Sequence, residues 1–228
     1  MRNRLRYLLF AGVAIAMAAL TSCSETDNEE EEFPNWQPDN EAYFERTFLQ
    51  AKSLEPTDPH YKVLRAFGLE ESVATHSYDH VAVKALNIGS GSGVPFYTDS
   101  VKVNIRGRML PSTGYPEGYV FVQSYPGEYD KDLITPSVLG VSLSSSVPKG
   151  LSTAFQAMHI GDRWLVTVPH QLGYGTSGSE SPSVQPYSTL VYDVELLAYY
   201  RSDISPSSVA AHDGNDKGRQ TRGVWIYE

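Results

Sequence analysis

Few side chains in this sequence could do covalent chemistry, and their spacing argues against most of it. There is one Cys, Cys23, so the chain cannot form a disulfide or a thiolate metal site of its own. His76 and His80 stand four apart, but in a non-helical stretch where that spacing does not align them. No Cys or acidic cluster completes a site, and no metal is expected. Ser177 lies in Gly175-Thr-Ser-Gly-Ser179, which lacks the second Gly of a nucleophile elbow and reads as turn chemistry. Gly89, Gly91 and Gly93 have neither the G-x-G-x-x-G spacing nor a following helix, so they mark a turn between strands rather than a nucleotide loop. Tyr174 is different. It sits in the Gly-rich Leu172-Gly-Tyr-Gly175, a loop that offers an aromatic no obvious packing role, and it is the best single functional candidate.

The elements that must position such a residue are mostly strands. Val101, Val103, Ile105 and Met109 alternate with Lys102, Asn104, Arg106 and Arg108, the period of a half-buried antiparallel strand. Val81, Val83 and Ala85 alternate likewise, as do Trp164, Val166 and Val168. Leu190, Tyr192, Val194 and Leu196 give the cleanest pattern, and Val120-Phe121-Val122 a shorter one. Residues 123–137 read as a loop. Between the strands, Leu151, Ala154, Phe155 and Met158 at i, i+3, i+4 and i+7 predict one buried helix face over about ten residues. The fold class is therefore α+β, an antiparallel sheet wrapped on one short amphipathic helix. Upstream, Pro34 and Pro38 mark a linker over 33–39. Asn40 is placed to cap a helix running to about Ser53, striped by Phe44, Thr47, Phe48 and Ala51 and stopped by Pro56 and Pro59. That helix could pack on the main domain or help a dimer form. The expected organisation is a helical extension over 40–75, the main domain over 76–200 and a tail over 201–228. In the tail, Val224 to Tyr227 could add an edge strand or bind a partner.

The first two dozen residues carry an address. Arg2, Arg4 and Arg6 precede an uncharged apolar run from Tyr7 to Leu20, the n-region and h-region of a secretory signal. The run is shorter than the ~20 apolar residues of a spanning helix. It ends in Leu20-Thr21-Ser22-Cys23, which resembles the bacterial lipobox, where cleavage precedes a Cys that becomes lipidated. The expectation is a signal peptide over 1–22 and a lipidated acidic tether over 23–39, with Cys23 anchoring the chain in a membrane. Glu29 to Glu32 form a like-charge block that stays extended and solvated. It resembles the acidic segment that displays Bacteroidetes lipoproteins on the outer face of the outer membrane; the periplasmic face is the alternative. The formal charge of −9 argues against a nucleic-acid partner. With 41% hydrophobic residues, the chain can bury a core without disulfides or metals.

Several ordered blocks share one resemblance. Val147-Pro-Lys-Gly-Leu151, Met158-His-Ile-Gly161, Pro169-His-Gln-Leu-Gly-Tyr-Gly175, Pro186-Tyr-Ser-Thr-Leu-Val-Tyr-Asp-Val-Glu-Leu-Leu197 and Val101-Lys-Val-Asn-Ile-Arg-Gly107 are similar to FKBP-type peptidyl-prolyl cis/trans isomerases over roughly 98–198. The resemblance implies an isomerase of Xaa-Pro bonds in proline-containing polypeptides, working without nucleophile, metal or cofactor. It implies a pocket whose aromatic wall is Phe121, whose floor is Leu151, whose lip is Val184 and whose base is Tyr192. Val147 supplies side-chain wall, and the Tyr174 hydroxyl hydrogen-bonds a bound carbonyl. Three positions depart from the family. Ile105 stands where a Tyr is usual and Val122 where an Asp is usual. Pro148 replaces an Ile whose backbone N–H binds ligand carbonyls, and so deletes that donor. The departures leave open a second reading, a scaffold that binds peptides or a surface partner without catalysing.

Overall fold

A computed structural model describes residues 31–144, 146–201 and 223–227. The expected signal peptide, Cys23, most of the expected acidic tether and residues 202–222 lie outside the described residues. The alternating segments form an antiparallel sheet: β1 (Tyr61–Arg65), β2 (His80–Asn87), β3 (Ser100–Arg108), β4 (Val120–Gln123), β5 (Ser137–Gly140), β6 (Arg163–Val168), β9 (Leu190–Arg201) and β10 (Val224–Ile226). The strand order is β1-β2-β6-β9-β3-β4, with β5 also on β3 and β10 also on β9. A small hairpin, β7 (Ser179–Glu180) with β8 (Ser183–Val184), stands apart from it. Helix α1 spans Trp36–Leu54 and helix α2 spans Lys149–Phe155.

The core lies between one face of the sheet and α2. Val101, Val103 and Ile105 of β3, Trp164 and Val166 of β6, and Tyr192, Val194 and Leu196 of β9 are all at most 1% exposed, as are Leu151, Ala154 and Phe155 of α2 and Met158 beyond it. The helix is shorter than its apolar spacing suggests: it ends at Phe155, and Met158 reaches the same core from the turn that follows. The loop expected over 123–137 contributes the start of β5, whose residues alternate half-buried and exposed along an edge and whose pattern is too short to show in sequence.

Upstream of the sheet the boundaries differ more from expectation. Residues 33–39 are not a linker. The chain turns at Asn35, in the left-handed region with φ 51°, and α1 begins at Trp36. Pro38 is tolerated because the first turn's N–H groups have no intrahelical acceptor. Phe33 and Trp36 pack edge-on, 4.9 Å between ring centroids, and both lie against the main core. Asn40 is consequently not a cap but a fully buried helix residue, lined up with Phe44, Phe48 and Ala51. Residues 40–75 are likewise not a separate helical piece: β1 lies within them and pairs with β2, Tyr61 opposite Lys84 through Arg65 opposite His80. The described residues from Glu32 onward group as one compact unit. Val224–Ile226 does add an edge strand, pairing with Tyr199–Arg201 of β9.

Candidate functional site

The site forms where β3, β4 and β9 meet the Gly-rich turn after β6. Gly107 of β3 is paired with Tyr192 of β9 on one side and Val122 of β4 on the other, and the β3–β4 register shifts between Gly107 and Arg108. A bulge at a strand end bends the strand and re-aims its side chains. Phe121 and Tyr192 consequently meet edge-to-face, with ring centroids 5.6 Å apart and planes at 88°. Phe121 also meets Tyr174 at 6.3 Å and 89°, so the wall aromatic is held perpendicular to both phenols. A Cβ on Gly107 would come within 2.7 Å of Val122 Cγ1 and 2.8 Å of both Phe121 Cζ and Tyr192 Cε1. The junction is packed to the backbone.

Tyr174 is delivered by a short 3-10 turn, His170–Leu172, which follows Pro169 at the end of β6. The turn closes through Gly173 N–H to His170 O at 3.0 Å and Gly175 N–H to His170 O at 2.8 Å. Tyr174 is half-buried, whereas Tyr192 is completely buried. Burial pushes both phenols above the ordinary tyrosine pKa, Tyr192 well above it, and the neighbouring Tyr174 oxygen adds to the rise at Tyr192. The two hydroxyls interact with each other, and that of Tyr192 is completely shut off from solvent. Both groups are therefore neutral hydroxyls at pH 7, able to donate to a carbonyl oxygen.

The remaining sequence-derived positions are brought into the same apolar cluster, with less exposure than a pocket lining suggests. Val147 and Ile105 are 1% exposed, Leu151 is fully buried and Val184 is 4% exposed. Phe121 and Tyr174, both half-buried, are the members that keep surface. Pro148 is buried at the position before α2, with φ −69° and ψ 165°, and its carbonyl accepts Ser152 N–H at 3.0 Å. Its ring nitrogen has no proton, so the approach to α2 offers no donor at this position.

Sequence reasoning missed the loop after β4. Ser124 Oγ accepts Ile105 N–H at 2.9 Å, and Ser124 N–H donates to Ile105 O at 2.8 Å. Arg106 donates to Tyr125 O at 3.0 Å and its guanidinium lies 4.3 Å over the Tyr125 ring. Arg163 makes paired bonds to Asp193 at 2.9 and 2.6 Å and stacks at 3.5 Å on Tyr129, whose hydroxyl bonds Glu195. Burial, with the bond to Glu195 second, pushes Tyr129 up to about 12. The available signal was Arg106, Asp193 and Glu195 on the outward positions of their strands, opposite a Tyr-rich loop. The network holds that loop against the sheet and so frames the Phe121 side of the site.

Residues 95–197 match the family model of the FKBP-type peptidyl-prolyl cis-trans isomerases. Among individual proteins, it is 30% identical over 114 residues to the FKBP-type 22 kDa peptidyl-prolyl cis-trans isomerase of Escherichia coli K12, covering 50% of this chain and 47% of that protein. It is 28% identical over 144 residues to the FKBP-type isomerase FkpA of the same organism, covering 63% and 44%. The crystal structure of Escherichia coli FkpA superposes with a TM-score of 0.49 at 21% identity, over 84% of this chain and 80% of that one. The chain spans about half the length of the curated relatives it matches.

Proposed function

We propose that this protein catalyses cis/trans isomerisation of Xaa-Pro bonds in exported polypeptides, at the surface formed by Phe121, Tyr174 and Tyr192. The prolyl amide barrier of ~18–20 kcal/mol comes from resonance that rotation destroys, and uncatalysed exchange takes tens to hundreds of seconds. A twisted amide has a localised carbonyl and a pyramidal nitrogen, so it needs water less than the planar amide does. An apolar aromatic wall strips water from the planar form, and a phenolic O–H held over that wall stabilises the twisted one. Each ~1.4 kcal/mol of such difference is tenfold in rate. The observation carrying this reading is the perpendicular contact of Phe121 with Tyr174 and Tyr192 inside the segment that matches the isomerase family. Pro148, without its N–H, and the apolar Ile105 and Val122 favour a second reading, a peptide-binding module with little turnover.

Exchange NMR on a short Xaa-Pro peptide separates the two. The expected result is an isomerisation rate rising in proportion to added protein. Tyr174→Phe should lower it about tenfold, the loss of one hydrogen bond to a localised carbonyl, without changing the protein's own spectrum. Binding of the peptide with no rate increase would leave the second reading standing.

The supposed clients follow from the supposed address. Cys23, the sole Cys, stands at the end of an export signal, and acyl chains at ~0.8 kcal/mol per buried methylene would hold the protein on the outer membrane, at the cell surface or on its periplasmic face. Radiolabelled palmitate should enter the wild-type chain in bacterial cells and fail to enter Cys23→Ser. Equal labelling of both would remove the anchor from the proposal.

A further inference from the structure

A second groove, outside the prolyl surface, gathers two carboxylates and a buried imidazole without a Lys or Arg partner among the described residues. It is a cleft of about 600 Å³ between α1, the turn at Ser77 and Tyr78, and the start of the turn that delivers Tyr174, with Pro38, Phe44 and Pro169 in its walls. Glu41 and Glu45, one turn apart on α1, both line it. Among the described residues neither pairs with a Lys or Arg. Glu41 accepts only from Gln37 Nε2 at 2.9 Å, and Glu45 from Ser77 Oγ at 2.5 Å. Between helix and turn stands His170, 7% exposed, with both ring nitrogens buried and without a hydrogen bond. Its Nε2 faces Glu41 Oε1 at 3.6 Å, too far for a hydrogen bond.

Burial holds the His170 pKa below that of an ordinary histidine against the opposing pull of Glu41. At pH 7 the ring is therefore neutral and one of its nitrogens is an acceptor. Two carboxylates and a neutral imidazole call for a cation with several donors. Tyr78, 38% exposed and stacked on His76 across one face at 4.6 Å, leaves its other face for a flat cation. A guanidinium meets both demands better than an ammonium, since its five donors form a planar fork.

We propose that this groove is a subsite for an arginine side chain of a bound polypeptide, adjacent to the prolyl surface and separate from it. The two share one turn, because His170 opens it and Tyr174 ends it, with Gly175 N–H donating to His170 O. That the polypeptide is an isomerase substrate rests on the reading above, whereas the arginine site does not.

The test uses a probe without proline. The ¹⁵N-labelled full chain is titrated with acetyl-Gly-Gly-Arg-Gly-Gly-amide and, separately, with the same peptide carrying Gln for Arg. The Arg peptide should give saturating shifts centred on Glu41, Glu45, Tyr78 and His170, and the Gln peptide none. In the E41Q/E45Q double variant the Arg peptide should bind about tenfold more weakly, the equivalent of ~1.4 kcal/mol. Glu45→Gln alone, farther from His170, should show part of that loss. The proposal is overturned by shifts of equal size with either peptide, by shifts centred on Glu29 to Glu32, by no saturation, or by unchanged binding in the double variant. Turnover of a neutral Ala-Pro peptide, measured on the same samples, tests the isomerase reading alone, so either idea can fail without the other.

Discussion

Gly107 shows how one residue can set the geometry of the site. Its missing side chain lets β4 and β9 bring Phe121 and Tyr192 together over the β3 backbone, where a methyl group would sit 2.7–2.8 Å from three neighbouring atoms. Real contacts of that kind are relieved by moving rings or backbone, at ~1–3 kcal/mol for an overpacked core position. Gly107→Ala should therefore lower the unfolding free energy from urea titration by ~1–3 kcal/mol and separate Phe121 from Tyr192. Loss of the ring-current shifts between the two aromatics would register the movement, and a variant with wild-type stability and shifts would contradict the geometry. The glycine was visible in sequence as the last residue of Val101-Lys-Val-Asn-Ile-Arg-Gly107, but its reason was not, because the reason is a contact among three strands. Leu151 and Tyr192 show the converse. Their apolar spacing placed them correctly on buried faces, and spacing alone cannot distinguish the floor of a pocket from the interior of a core.

At the scale of elements, α1 carries the largest revision. Its apolar stripe is legible, yet the helix starts five residues earlier than a cap at Asn40 implies, because Pro38 reads as linker and Asn40 carries a strong cap signal. Pairing with a distant segment decided otherwise. Asn40 Oδ1 accepts Thr189 N–H at 2.7 Å, its backbone O accepts Thr189 Oγ at 2.9 Å, and Trp36 Nε1 donates to Ser188 Oγ at 3.2 Å. These bonds tie α1 to the segment entering β9, the strand that holds Tyr192. Asn40→Ala leaves a buried backbone N–H at Thr189 unpaired, at a cost of about 1–3 kcal/mol. The expected result is a lower urea midpoint with an unchanged slope, and rapid hydrogen exchange at Thr189. Protection at Thr189 equal to wild type would mean that the bond matters little. β1 was missed for a related reason: Tyr61–Arg65 is an edge strand with four half-buried residues and one exposed, so it lacks the alternation that marks a strand with one wet face.

At the scale of the whole molecule, the phenols set the alkaline limit. Burial is the leading cause that raises Tyr125, Tyr129, Tyr174 and Tyr192, Tyr129 to about 12. An unfolded Tyr ionises near 10. For groups whose folded pKa is raised, the stabilisation is complete below the unfolded value and is lost as pH climbs toward the folded one. The urea midpoint should hold level up to about pH 10 and fall steeply between there and about 12, with a shallower fall in Tyr129→Phe. A midpoint that stays level to pH 12 would show that these phenols are not buried in solution.

The sequence by itself determined the period of each central strand, the buried face of α2, the α+β class and the order of the blocks that resemble the isomerase family. All of these are local: a period of two or of 3.6 and a turn residue act within a few positions of one another. It also placed Phe121, Tyr174 and Tyr192, three residues far apart in the chain, in one expected site, through resemblance rather than spacing. Only the tertiary structure decided that Gly107 lets those rings meet, that Asn40 is buried against Thr189, and that His170 faces Glu41 across a second groove. Each of these joins segments well separated in the chain, and it is set by close packing and by the need of every buried polar group for a partner.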